Sequence, residues 1–210
     1  MRLQFAKEGN PFIGFFAVVT AAAFLLGPAW TALLPFLMTL FMAYFFRDPE
    51  REIPEEDGLF VAPADGKILV LQNVRESQHI NGEVLQISIF MSPLNVHVNR
   101  SPCDGIVEKV VHTQGKFLSA FKPEASVQNE NIAMILDTKY GKVLVRQIAG
   151  FLARRAVCRV SPGDELKRGD RYGVIKFSSR VDIFLPAATV SKVRLGDKVS
   201  AGETILGYIP

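Results

Sequence analysis

From Gly9 to Phe46 the chain carries no charged side chain, and from Arg47 onward it reads as an ordinary soluble protein. An uncharged apolar run of that length exceeds the roughly 20 residues that cross a bilayer once. It is interrupted at Gly27-Pro28, a pair that breaks or kinks a helix. The expected structure is a helical hairpin, Pro11 to Leu26 and Trp30 to Phe46, making residues 1–46 a membrane-associated unit. Arg2 and Lys7 precede the apolar run, and Arg47 and Arg51 follow it. The positive-inside rule then puts both ends on the cytoplasmic side. Each arm is short for a full crossing, so a spanning hairpin and a re-entrant or interfacial one both stay open. A cleaved signal peptide fits poorly, because the run is too long and lacks a small-residue cleavage site.

After a charged, proline-containing linker (47–58), the pattern changes to short β-prone runs over 59–210. The runs are Leu59–Ala62, Lys67–Val74, Val84–Phe90, Gly105–His112, Ala133–Thr138, Val143–Ile148, Val174–Phe177 and Val181–Leu185. They are rich in Val, Ile and Phe and are bounded by Gly, Pro, Asp and Asn, the composition of strands between turns. Asn81-Gly82 and Tyr140-Gly141 read as hairpin turns. A short helix is expected only near Phe117–Phe121. With 49% hydrophobic residues in 210, this part can bury a sizeable core.

Two internal echoes shape the fold expectation. Gly163-Asp164, Gly169-Asp170 and Gly173 are repeated by Gly196-Asp197, Gly202-Glu203 and Gly207. Pro63-Ala64-Asp65-Gly66 is repeated by Pro102-Cys103-Asp104-Gly105. Glycines at fixed spacing supply positive-φ turns between short strands. The fold class is therefore mainly β, a flattened β-sandwich or barrel of half-motifs similar to lipoyl and biotinyl domains, preceded by the hydrophobic hairpin. A non-catalytic, membrane-tethered carrier-like domain is one function open to such a chain. It requires a lysine at a hairpin tip flanked by methionine or acidic residues, and Lys192 lacks those neighbours.

Several chemistries are disfavoured. The net charge of +3 is too mild to argue for nucleic acid, but suits a protein resting on anionic lipid. Cys103 and Cys158 are too few for a disulfide framework or a zinc cage, and read as reduced, partly buried thiols in a cytoplasmic compartment. The histidines, His79, His97 and His112, do not have metal-site spacing, so no metal is expected. No nucleophile elbow, P-loop or dinucleotide fingerprint is present.

Five separated words carry the functional signal. They are Phe45-Phe46-Arg47-Asp48-Pro49, Ala62-Pro63-Ala64-Asp65-Gly66-Lys67-Ile68, Phe90-Met91-Ser92-Pro93-Leu94-Asn95-Val96-His97-Val98-Asn99-Arg100, Gly115-Lys116-Phe117, and Gly173-Val174-Ile175-Lys176-Phe177-Ser178-Ser179-Arg180-Val181-Asp182. In this order and spacing the chain resembles the short bacterial and archaeal form of phosphatidylserine decarboxylase, over nearly its whole length.

The resemblance implies a pyruvoyl enzyme that converts phosphatidylserine to phosphatidylethanolamine, a carbon–carbon lyase made as a zymogen. Ser179 attacks the carbonyl before it, an ester forms by acyl shift, and β-elimination frees the upstream chain. The products are a large chain, 1–178, and a small chain, 179–210, whose first residue becomes the pyruvoyl group. That ketone forms a Schiff base with the serine headgroup and takes up the electrons left by departing carbon dioxide. The implied partners are phosphatidylserine in a bacterial or archaeal cell membrane and the two chains of one precursor, with a homodimer as a further option. An apolar anchor suits a substrate that lies in the membrane plane.

The family's relay is Asp-His-Ser. Asp65 matches its aspartate; outside the resemblance it is an ordinary turn aspartate before glycine. His97 falls on the active-site histidine segment, either as base in cleavage or as positioner of the substrate carboxylate and proton donor. His112, Lys116 and Phe117 are candidates for substrate binding, and His79 reads as solvated. Two positions depart from the family pattern. Longer members carry a second histidine where this chain has Arg100, so either His97 covers both roles or another group supplies the base. The residue before the reactive serine is glycine in the family and Ser178 here, and serine is disfavoured where the backbone is strained. A maturation-deficient relative is thus a second alternative. If Ser178 restrains processing, a Ser178→Gly chain is expected to self-cleave faster than the native one in a gel time course; equal rates would remove that restraint.

Overall fold

The computed structural model describes residues 4–119, 121, 124–150, 156–176 and 179–210. It divides into two units, Met1–Glu50 and Arg51–Pro210.

In the first unit α1 (Asn10–Leu26) and α2 (Leu33–Phe45) pack together, joined through Gly27-Pro28 and a 3-10 turn at Ala29–Ala32. Pro11 sits in the first turn of α1, where its missing N–H costs nothing. The hydroxyls within the helices bond back to their own backbone, Thr20 Oγ1 to Phe16 O (2.7 Å) and Thr39 Oγ1 to Pro35 O (2.9 Å). This internal satisfaction is what an apolar solvent demands. Residues Lys7–Leu26 form a helix long and apolar enough to cross a membrane; the second apolar helix, Ala29–Phe45, is shorter.

The second unit is mainly β. Its strands among the described residues begin with β1 (Leu59–Val61), β2 (Gly66–Glu76), β3 (Gly82–Met91), β4 (Val98–Arg100) and β5 (Gly105–Thr113). A one-turn helix, α3 (Ala125–Gln128), precedes β6 (Asn131–Thr138), β7 (Gly141–Ala149), β8 (Ala156–Cys158), β9 (Glu165–Leu166) and β10 (Arg171–Ile175). The last are β11 (Ser179–Pro186), β12 (Val190–Ser191), β13 (Lys198–Val199) and β14 (Ile205–Tyr208). Strands appear at all eight runs expected from sequence; six reach past the expected bounds, while β1 stops at Val61 and β10 at Ile175, with Phe177 of the expected run outside the described residues. The expected helix at Phe117–Phe121 does not: residues 117–119 are irregular, and the helix here lies at α3.

A curled antiparallel sheet runs β13-β2-β3-β11-β7-β6-β5-β9, with two three-stranded sheets, β1-β14-β12 and β4-β10-β8, beside it. Alternation sends Val181, Ile183 and Leu185 of β11 into the main core with Ile87, Ile89 and Val145, while Phe184 joins Val84, Ile135 and Leu144 on the other face. Burial on both faces fixes the register, because a one-residue slip would exchange the two sets.

The echoed motifs close on each other by a pseudo-twofold pattern. Gly202 and Gly196 donate to the carbonyls of Ala62 and Ile68; Gly169 and Gly163 donate to those of Ser101 and Val107. Crossed bonds, Val61 N–H to Pro102 O (2.9 Å) and Arg100 N–H to Pro63 O (3.0 Å), join the halves. All four glycines have positive φ, as their spacing implied. Gly66 is needed for another reason: a Cβ there would drive into the carbonyl oxygen of Phe90. Gly66→Ala is therefore expected to destabilise the protein by about 3 kcal/mol, seen as a lower urea midpoint at unchanged m.

Candidate functional site

Ser179 opens β11 and pairs with Met91 at the end of β3 and Ala149 at the end of β7. Its side chain is fully buried, and Oγ donates to Met91 Sδ at 3.3 Å. The Nδ2 of Asn99 lies 3.9 Å from the same sulfur and 3.4 Å from Pro63 O. Asn99 Oδ1 accepts from Gln147 Nε2 at 2.8 Å. Both amides are fully buried, so the serine stands beside a polar pair enclosed in apolar surroundings.

The segment before Ser179 links two sheets, since β10 belongs to the small β4-β10-β8 sheet and β11 to the large one. His97 is tied to this crossing. It is buried, its carbonyl accepts from Ile175 N–H at 3.2 Å, and it leads into β4, which pairs with β10. Ser178, the expected cleavage partner of Ser179, lies outside the described residues, as does Phe177.

Asp65 comes to the same end of the fold through its loop, because Pro63 O receives the Arg100 N–H and the Asn99 amide. Its carboxylate accepts a fork from Arg51 Nη2 (3.0 and 2.9 Å) and the Ala201 N–H (2.8 Å). The symmetry mate Asp104 accepts the Arg168 N–H in the same way at 2.7 Å. Binding a backbone N–H is thus the shared, structural part of the Pro-Xaa-Asp-Gly turn, and the buried guanidinium is what distinguishes Asp65. Arg51 also reaches Glu203 Oε2 at 2.9 Å, so a residue expected in a linker is built into the body. Arg100 is buried and donates to Gly169 O at 2.9 Å.

Gly115, Lys116 and Phe117 lie on the loop between β5 and β6. Lys116 N–H bonds Gln128 O (2.7 Å), and a Cβ on Gly115 would meet the Asn129 carbonyl carbon at 2.5 Å, so only glycine allows this approach. Asn129 fastens the loop to the site. Its Nδ2 donates to Leu118 O (2.8 Å) and to Ala149 O (2.7 Å), the residue paired with Ser179. On the other face of β11, Asp182 accepts from Arg180 Nε (2.6 Å) and from Ser126 Oγ (2.9 Å), which ties α3 to the strand. The Arg-Val-Asp after Ser179 is therefore a buried lock on this loop.

His112 is placed elsewhere, half-exposed on β5, three strands from β11, with Nε2 3.2 Å from Glu130 Oε1. His79 sits in the β2–β3 turn, half-buried, and that burial lowers its pKa. Glu76 organises the turn by accepting the N–H groups of Gln78, His79 and Ile80. Cys103 and Cys158 are free thiols; burial, with the Asp104 carboxylate, pushes Cys103 up to about 12. Sequence reasoning missed Arg51, Asn129 and Gln147. Only Gln147 left a sign, an uncharged polar residue inside an apolar strand.

The fold and site define a β-rich protein with an enclosed serine at a sheet-to-sheet crossing, and the strand before that crossing is bonded to the carbonyl of a buried histidine. A model of the family described as phosphatidylserine decarboxylase matches residues 38–207. The chain is 47% identical over 205 residues to the phosphatidylserine decarboxylase proenzyme of Desulfotalea psychrophila, covering 97% of this chain and 96% of that one. The proteins of the same name from Geobacter metallireducens and Syntrophus aciditrophicus are each 46% identical, covering 98% and 96% of this chain and 96% of each relative. The chain belongs to the phosphatidylserine decarboxylase family.

Arg51→Met removes the guanidinium from a buried carboxylate and is expected to cost about 3 kcal/mol of stability. Arg51→Lys restores only part, because an ammonium cannot fork. Denaturant titration of both variants checks this.

Proposed function

We propose that this chain is a self-processing, pyruvoyl-dependent phosphatidylserine decarboxylase, attached to the membrane by residues 1–46. The observation that carries this is Ser179: a fully buried serine, held in register by strands on both sides, in a chain matched end to end by proenzymes.

In maturation Ser179 Oγ attacks the carbonyl carbon of Ser178, and the amide becomes an ester as the peptide nitrogen takes up the proton. Loss of the Ser179 Cα proton then expels the Ser178 carboxylate and leaves dehydroalanine. Water converts this to pyruvoyl with release of ammonia. His97 is the residue proposed to move protons here, either in cleavage or in the later return of a proton to the product. Asp65, fixed by Arg51 and Ala201, supplies the carboxylate of the relay.

The surroundings of Ser179 suit the group it would generate. The residue is shielded from solvent, and the buried amides of Asn99 and Gln147 stand beside it. The pyruvoyl carbonyl supplies an electron sink for loss of carbon dioxide from the serine headgroup. Lys116 and Phe117 are proposed to meet that headgroup, a role supported by the fastening of their loop to Ala149 through Asn129. The apolar helix at Lys7–Leu26 supports membrane attachment, and the positive-inside rule supports a cytoplasmic catalytic body.

Intact-mass measurement of the purified protein is expected to give two chains, 1–178 and 179–210, the second lacking a free amine. Ser179→Ala is expected to stay a single chain and to lose decarboxylation entirely. An intact native chain with full activity would refute the pyruvoyl mechanism.

A further inference from the structure

The large apolar side chains exposed on the second unit are unevenly placed. Ile106, Val190 and Leu195 stand singly on separate elements, which is normal for a protein surface. Leu94 (63% exposed), Phe117 (36%) and Phe121 (63%) instead belong to the loops at the Ser179 end of the large sheet. Backbone geometry brings them there. Leu94 rides the turn after β3, where Ser92 N–H and Oγ both bond Asn95 Oδ1 (2.9 and 2.8 Å). Phe117 adjoins Leu118, whose N–H and carbonyl are both held by Asn129, itself bonded to Ala149 O. Phe121 packs edge-on against Phe90, ring centroids 5.8 Å apart, and Phe90 pairs with Arg180.

Charge on this fringe favours an anionic partner. Lys116 is exposed, and its ammonium meets no acid among the described residues, donating to the neutral Gln128 amide at 3.3 Å. The facing acids are the exposed Glu124 and the half-buried Glu130, the latter set against His112. Aromatic and aliphatic tips beside a lysine match the headgroup zone of an anionic bilayer, where apolar tips enter the acyl boundary and an ammonium group meets phosphate and carboxylate.

We propose that this fringe is a membrane-docking surface of the catalytic body, separate from the hairpin, which seats the Ser179 end against an anionic phospholipid bilayer. It rests on the enzymatic reading above and deepens it. The substrate headgroup then reaches the buried site from the lipid plane without its acyl chains leaving the bilayer.

The test uses the full-length chain with Cys158→Ala, leaving the buried Cys103, and one new cysteine at a time, Phe121→Cys or Ile106→Cys, labelled with a nitrobenzoxadiazole dye. In vesicles of phosphatidylcholine and phosphatidylglycerol, doxyl-labelled lipid is expected to quench the dye at 121 several-fold more than at 106. That quenching is expected to weaken when phosphatidylglycerol is omitted. Equal quenching at the two positions overturns the proposal. In a second arm, Phe121→Ser is expected to lower the rate on vesicle phosphatidylserine about tenfold relative to the rate on a monomeric short-chain analogue, the loss of one interfacial aromatic anchor. An unchanged ratio also overturns it. If the native chain decarboxylates neither substrate, the enzymatic reading fails, while the quenching comparison still decides the docking surface.

Discussion

The ladder that β11 makes with β3 and β7 is the constraint on which the site depends. Ser179 lies opposite Met91 and Ala149 because Val181, Ile183 and Leu185 fill one core and Phe184 the other. A slip of one residue would turn the serine out and bring Arg180 and Asp182 into the core, an exchange of apolar burial for buried charge. Precision at the reacting hydroxyl is thus a consequence of hydrophobic burial two to six residues away. The same strand anchors the neighbouring loop, through Ala149 O on one side and Asp182 on the other.

Internal symmetry supplies the scaffold, and its breaking supplies the site. Each Pro-Xaa-Asp-Gly turn bonds one pair of positive-φ glycines, the two halves are related by a pseudo-twofold pattern, and each turn aspartate accepts a backbone N–H from the glycine segment of its own half. The structural task is common to Asp65 and Asp104. Among the described residues only Asp65 receives the fork of Arg51, and the loop that carries it takes the Asn99 amide on Pro63 O. A repeat gives two equivalent positions at no extra folding cost, and one side chain from outside the repeat makes them different.

The two units are packed in opposite ways. In the first, hydroxyls turn back onto their own helices and apolar side chains face outward, the reverse of the packing in the second. Among the described residues of the β-rich unit, exposed apolar side chains gather where the loops around Ser179 end. The proposed function uses both: the apolar helices as an anchor, and a buried polar site whose rim meets lipid.

By itself the sequence determined the uncharged hairpin, the eight main strands, the positive-φ glycines and the register of Ser179. Each of these rests on local chemistry: charge exclusion from lipid, alternation along a strand, or a backbone angle that only glycine adopts readily. It also named Asp65, His97, Lys116 and Phe117 through motifs that survive as short words. What only the tertiary structure decided is which distant groups meet. Arg51 read as part of a linker until its guanidinium was seen on Asp65, and Asn129 and Gln147 read as ordinary polar residues until strand order set them beside Ala149 and Asn99. His112, plausible by its nearness to Gly115, is separated from β11 by two intervening strands. Sheet order is a property of long-range pairing, and nothing in the spacing of residues along a chain specifies it.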